Sequence, residues 1–168
     1  MSRTLSHGEY VIQWQRSITE VDRSEWDFLA QPLQCPFLEW DWLKLLEDSS
    51  SVGPEAGWHP LHLTVRRAGV LVGAAPLYLK WDSYGEFVFD HVWAEVAGKI
   101  GVRYYPKCVG AVPFTPVSGY RFLIHPCQDE VLVSGVMLQA LKRMCRGNGI
   151  LSLHFHFVDE AWAGRMES

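Results

Sequence analysis

The residues best equipped for chemistry fall in two stretches, 78–93 and 104–115. Tyr78 and Lys80 alternate with Leu77 and Leu79, so on a strand the tyrosine and the lysine share a face. Tyr84, Phe87, Phe89, Asp90 and Trp93 follow, and Tyr104, Tyr105 and Lys107 come after a short interval. Aromatic rings offer flat apolar faces with polar tips, while Lys80, Asp90 and Lys107 can fix a polar ligand's orientation. That mixture suits a sugar-linked ligand. Tyr and Trp are also ordinary core residues, and Asp90 is placed to cap a helix beginning after it. Both readings stand at this point.

Other chemistries are weakly written. His154 and His156 lie two apart on a strand pattern and point to one face, acceptable for two metal ligands, yet no third ligand sits at a telling distance. No metal site is expected. His59 and His62 carry less information still. No G-x-S-x-G occurs, and no serine has a triad context. Glu86 and Asp90 are four apart, but the aromatic run between them reads as extended, which argues against a carboxylate pair. Cys35, Cys108, Cys127 and Cys145 are widely spaced and form no C-x-x-C, so they read as reduced, buried thiols.

The elements that must position these residues follow from periodicity. An alternating strand runs over 9–18, then a helix starts near Asp22 with Trp26, Leu29 and Ala30 on one face. Prolines in 31–36 break it, and a second helix covers 37–48 with Phe37, Trp40, Leu43 and Leu46 as its stripe. A polar loop over 48–57 leads to a hairpin that turns at Ala68-Gly69 into one strand over 70–80. A helix ending near Gly101, a buried strand over 107–112, a proline-rich loop over 113–119 and a short strand over 121–125 come next. The clearest helix spans 129–146, with Val131, Leu132, Gly135, Leu138, Leu141 and Cys145 recurring at helical spacing and Gly147 and Gly149 as its stop. A strand over 151–157 and a final helix from about Asp159 complete the order. The pattern gives an α/β (α+β) fold with a mixed, largely antiparallel sheet flanked by helices.

The chain has 168 residues, a size for one domain, and 48% hydrophobic residues, enough for a large core. Its formal net charge of −4 gives no electrostatic case for nucleic acid, so no DNA partner is expected. The first residues hold no apolar stretch and no window approaches a membrane span, so the expected location is cytoplasmic.

Two segments carry a family resemblance: PLYLKWDSYGEFVFDHVWAE (76–95) and YYPKCVGAVPFTPVSG (104–119), with Pro36-Phe37-Leu38 and SVGPEAGW (51–58) in support. Together they resemble the peptidoglycan biosynthesis/recognition family, related to Fem aminoacyltransferases and to GNAT acyltransferases. The resemblance implies a GNAT-like domain over 1–168 that is the first half of a two-domain protein. It implies acyl or aminoacyl transfer to an amine, with a cell-wall precursor or another small amine as partner. Amine attack needs a proton acceptor and oxyanion stabilisation. Asp90 or Tyr105 is the expected acceptor and Lys107 the charge stabiliser. Tyr78, Lys80, Tyr84, Phe89, Trp93, Tyr104, Phe114 and Thr115 are the expected substrate contacts.

GNAT enzymes cradle the CoA pyrophosphate on backbone amides at a helix N-terminus. The equivalent place is read here as 113–119, where Pro113 and Pro116 remove two donors and no R/Q-x-x-G-x-G/A pattern occurs. No cofactor is therefore expected within this chain, and acyl-CoA or aminoacyl-tRNA is the donor for a longer protein. The competing reading is a non-catalytic module that recognises a cell-wall precursor or protein partner, or that dimerises through the surface left by a missing half.

Overall fold

The computed structural model describes residues 4–167. Strands β1 (Thr4–His7) and β2 (Tyr10–Gln15) form a hairpin turning at Gly8. Helix α1 (Arg23–Ala30) begins where Asp22 accepts from the Glu25 amide, as its sequence predicts. Two short 3-10 turns, 31–33 and 36–38, occupy the proline-bearing segment before α2 (Trp40–Asp48). Strands β3 (Trp58–Pro60), β4 (His62–Arg67), β5 (Val70–Ala75) and β6 (Leu77–Lys80) follow. Helix α3 (His91–Lys99), β7 (Lys107–Gly110), β8 (Leu123–Ile124), α4 (Glu130–Gly147), β9 (Leu153–Phe155) and α5 (Glu160–Glu167) complete the chain.

The strands form two sheets, β1-β2-β4-β5-β8 and β3-β6-β7-β9, antiparallel throughout except for the parallel pair β7–β9. The single strand expected over 70–80 is two strands. Pro76 has no amide to donate, and the chain passes there from the first sheet to the second. The Tyr120 hydroxyl donates to the Pro76 carbonyl at 2.8 Å, and a parallel bridge between Tyr120 and Val158 joins the two sheets at the same corner.

Helices cover both faces. Helices α1 and α2 and the turn between them bury Trp26, Leu29, Leu38 and Leu43 against Leu71, Ala74 and Leu123. On the other face α4 buries Val133, Val136, Met137, Leu141 and Met144. A Cβ at Gly73 would stand 2.9 Å from Val133 Cγ1, so the small residues of β5 set how closely α4 approaches. The buried stripe of α4 is rotated from the one expected. Val131 and Leu132 are exposed, and Val133, Val136, Met137 and Ala140 face the sheet instead. Both stripes have helical spacing, and contact with β5 decides between them.

Candidate functional site

The second sheet has two unlike faces. Leu77 and Cys108 face the α4 core, while register places Trp58, Lys80 and Lys107 in one row across β3, β6 and β7 on the opposite face. The next row holds Tyr78, Val109 and His154. Two lysines directly opposite on neighbouring strands repel one another, and both are buried, at 0% and 1% exposure. Such an arrangement persists only where each charge is compensated.

The excursion between β6 and β7 supplies the compensation. Lys107 Nζ lies 2.8 Å from Glu86 Oε2 and donates to Asp90 Oδ2. Asp90 also accepts from the Tyr104 hydroxyl at 3.0 Å and the Tyr105 hydroxyl at 2.8 Å. Glu86 Oε2 is shared with His156 Nε2 at 3.0 Å. Lys80 donates to the Tyr84 carbonyl at 2.8 Å, pairs with Asp82 at 3.1 Å and lies 4.2 Å over the Trp58 ring. The result is two neighbouring clusters, Lys80 with Asp82 and the Tyr84 carbonyl, and Lys107 with Glu86, Asp90 and His156.

Sequence reading placed Glu86 and Asp90 apart, and this is the main correction. The segment between them is irregular rather than extended, and it brings both carboxylates onto one ammonium. Asp90 occupies the N-cap position of α3 but makes no capping bond with its side chain, which is spent on Lys107 and the two tyrosines. Phe87 and Phe114 hold positive φ, 58° and 56°, a conformation bulky residues rarely adopt. Gly85 sits between them, where a Cβ would stand 2.5 Å from the Phe114 ring. The roof over the lysines is thus locked to the 113–115 turn.

Electrostatics assign the groups different capacities. Burial opposes ionisation of Asp90, yet the bonds from Lys107, Tyr105 and Tyr104 outweigh it and draw its carboxyl down to about 2. A carboxylate so held anchors cations and is a poor proton acceptor. Burial and the bond to Asp90 push Tyr104 up to about 12 and raise Tyr105 further, so both stay protonated. Burial lowers Lys80 against the pull of Asp82. Burial, then the charges of Lys107 and His156, lower His154, which is therefore a neutral imidazole at neutral pH. Glu86 Oε1, Trp58 Nε1 and His154 Nε2 are buried and make no hydrogen bond with any described residue.

The expected site residues divide into three groups. Lys80, Asp90, Tyr104, Tyr105 and Lys107 meet in the buried network. Tyr84, Phe89, Trp93 and Phe114 form an exposed aromatic rim around it, the first three more than 65% exposed. Tyr78 and Thr115 lie in neither group. Tyr78 is a core residue between Trp58 and His62, and the Thr115 hydroxyl is spent on the Pro113 carbonyl. Glu86 and His156 are site members that sequence reading missed. The i,i+4 spacing of Glu86 and Asp90 and the i,i+2 spacing of His154 and His156 were the available signals. Among the described residues no cluster of three or more His, Cys, Asp or Glu could hold a metal ion.

The 113–119 loop does not lead directly into a helix: β8 intervenes, and the turn immediately before α4 is 125–129. Asp129 caps α4 with its own carboxylate and Glu130 stands in the first turn, so acidic groups occupy that end. No described helix is long and apolar enough to cross a membrane.

The structure is similar to the crystal structure of ribosomal-protein-alanine N-acetyltransferase from Brucella melitensis biovar Abortus 2308, with a TM-score of 0.52 over 95% of this chain and 87% of that one. At 14% identity the likeness establishes the GNAT fold alone. No curated protein matches the sequence. The family model for FemAB-like proteins of peptidoglycan biosynthesis/recognition matches residues 17–168, a span that contains both sheets' central strands and every residue of the buried lysine network. The chain belongs to that family.

Proposed function

We propose that this chain is an acyl- or aminoacyl-transfer domain acting on peptidoglycan precursors, with the Lys80–Lys107 face as its acceptor site. The observation that carries the reading is Lys107, a buried ammonium clamped by Glu86 and by Asp90, which is itself held by the Tyr104 and Tyr105 hydroxyls. A fixed cation in a dry setting stabilises an oxyanion without reorganising when charge develops. His154, neutral and with an unpartnered Nε2, is the better proton acceptor for an attacking amine than Asp90 or Tyr105. The exposed rim of Tyr84, Phe89, Trp93 and Phe114 holds the flat apolar faces of a muropeptide-like acceptor. The donor, acyl-CoA or aminoacyl-tRNA, is bound by a second acyltransferase-like half. The acidic cap of α4 in this half supports that division.

The test is thermal stability against muropeptide precursors and, separately, acyl-CoA thioesters. A ligand at about 100 times its dissociation constant adds about 2.7 kcal/mol, and the midpoint rises by several degrees. A rise with muropeptides that Lys107→Met abolishes supports the acceptor site. A rise with CoA thioesters alone moves the donor site into this chain, and no rise with any acceptor overturns the reading.

A second reading, a non-catalytic recognition or dimerisation module, is favoured by one observation. Val92, Trp93, Val96 and Ile100 form an exposed apolar face on α3, continuous in sequence with Phe87 and Phe89. Light scattering after size exclusion tests it. A stable dimer that Trp93→Lys dissociates supports this module, and a monomer at high concentration removes the dimer.

A further inference from the structure

The stretch 86–101, which carries α3 and whose carboxylates close on Lys107, is built inside out. Only Glu86, Asp90 and Ala97 of it are buried, and two of these are carboxylates. Phe87, Phe89, Val92, Trp93, Val96 and Ile100 are exposed instead. Among the described residues, none from 86–101 belongs to a hydrophobic cluster of the core. An amphipathic helix in a folded domain ordinarily turns its apolar stripe to the core, and most of its stability comes from that packing. Helix α3 has the reverse arrangement.

What holds the stretch down is polar. Glu86 meets Lys107 at 2.8 Å and His156 at 3.0 Å, while Asp90 accepts from Lys107, Tyr104 and Tyr105. His91 adds a 3.4 Å contact with Ser83. Buried ion pairs return little net stability, because desolvation of both partners offsets their attraction. A segment with few buried apolar contacts opens at a free-energy cost well short of global unfolding. The two ends suit such an opening. Gly85 is pinned, its carbonyl accepting from the Phe114 amide at 3.3 Å, and its φ is 77°. Gly101 has a φ of 74°, and a Cβ there would meet nothing within 4 Å. Glycine takes up changes of φ and ψ that other residues resist, so the backbone can swing between these two points.

We propose that 86–101 is a lid, hinged at Gly85 and Gly101 and latched by Glu86 and Asp90, whose opening uncovers Lys107. Closed, it leaves Lys107 at 1% exposure, out of reach of any ligand. Its role as a gate rests on the acceptor-site reading. The opening itself is measured without an acceptor, so the two can fail separately.

The experiment treats the whole chain at neutral pH with the N-hydroxysuccinimide ester of acetic acid. Acetylation of each lysine is read by mass spectrometry, beside amide hydrogen exchange. The Lys107 rate relative to that of exposed Lys142 gives the fraction of time the lysine is uncovered. Amides of β5, in the core, give the fraction of time the whole fold is open. Lys107 should be uncovered at least about 100-fold more often than the β5 amides, since lid opening leaves the core intact. Urea below the unfolding midpoint should speed β5 exchange steeply and Lys107 acetylation little, because denaturant sensitivity scales with the surface exposed. Asp90→Asn should raise the Lys107 rate about tenfold, the worth of a hydrogen bond to a charged group. The proposal is overturned if Lys107 reacts only as often as the β5 amides exchange, if urea speeds both alike, or if Asp90→Asn leaves the Lys107 rate where it was. Should Asp90→Asn not fold, the two wild-type measurements decide alone.

Discussion

Replacing Lys107 with methionine isolates the energetics of the site. The change keeps an unbranched chain of similar length and removes the charge. Glu86, whose side chain is fully buried, then loses the ammonium 2.8 Å away, and Asp90 loses the strongest of its three donors. Removing one partner of a buried ion pair costs about 3–5 kcal/mol, because the other charge remains without compensation. For a chain of this size each kcal/mol corresponds to about 2–4 °C in the midpoint, so the variant should melt roughly 6–20 °C below wild type at pH 7. Asp90 adds a pH signature. Its folded pKa, about 2, lies below the ordinary aspartate value, so it contributes stability that is complete above about pH 4 and lost as pH falls through about 2. That depression corresponds to about 2–3 kcal/mol. Without Lys107 most of that contribution is gone at every pH, so the deficit against wild type should narrow as the medium is taken from pH 4 towards 2.

Urea midpoints across that pH range, for wild type, Lys107→Met and Lys107→Met/Glu86→Gln, measure these quantities directly. Neutralising Glu86 in the methionine background should recover at least about 1 kcal/mol, since contacting residues couple by amounts of that order. A loss under about 3 °C at pH 7, or a double variant no more stable than the single one, would refute the claim that Lys107 compensates these two carboxylates.

Three further outcomes follow from the same geometry. The His154 imidazole should titrate below the ordinary histidine value in wild type, followed by its ring proton shifts, and closer to that value in Lys107→Met, because burial and the Lys107 charge depress it. Its depressed pKa stabilises the fold above about 6.5 and withdraws that contribution as pH falls. Gly135→Ala should stabilise the chain by about 0.5–1 kcal/mol in thermal denaturation, since mid-helix glycine is costly and the added methyl meets no neighbour. Gly85→Ala should destabilise by about 1–3 kcal/mol, because φ is +77° there and a Cβ would stand 2.5 Å from the Phe114 ring.

The fold was largely legible because its signals are local. Asp22 announces a helix start, and the turn at Ala68-Gly69 announces the hairpin, each with its bond or φ in the structure. Strands over 107–110 and 153–155 were visible from apolar runs, although their ends were set too wide. What escaped reading was decided by partners distant in sequence. The face of α4 depends on Gly73, sixty residues earlier, and two amphipathic stripes on one helix look alike until a sheet selects between them. Pro76 was visible, but its consequence, a change of sheet, belongs to the pairing of β6 with β7.

The site divides along the same line. Asp90, Tyr104, Tyr105 and Lys107 stood out because charge and aromatic tips cluster in short stretches. Glu86 and His156 did not, since one lies in an irregular roof and the other seventy residues away just after β9, and only the fold puts them 3.0 Å apart. Buried charge is what separates the two kinds of residue. A lysine in a strand pattern reads as a solvent-facing position, and the row Trp58–Lys80–Lys107 would be one if the excursion over 81–106 did not close above it. That excursion carries Asp82, Glu86 and Asp90, which neutralise the lysines, and also Tyr84, Phe89 and Trp93, which remain in solvent. One segment therefore both completes the buried network and presents the rim. The rim and the carboxylates share one backbone segment, so any ligand that reorders the rim must act on the carboxylates beneath it and on the pairing of Lys107.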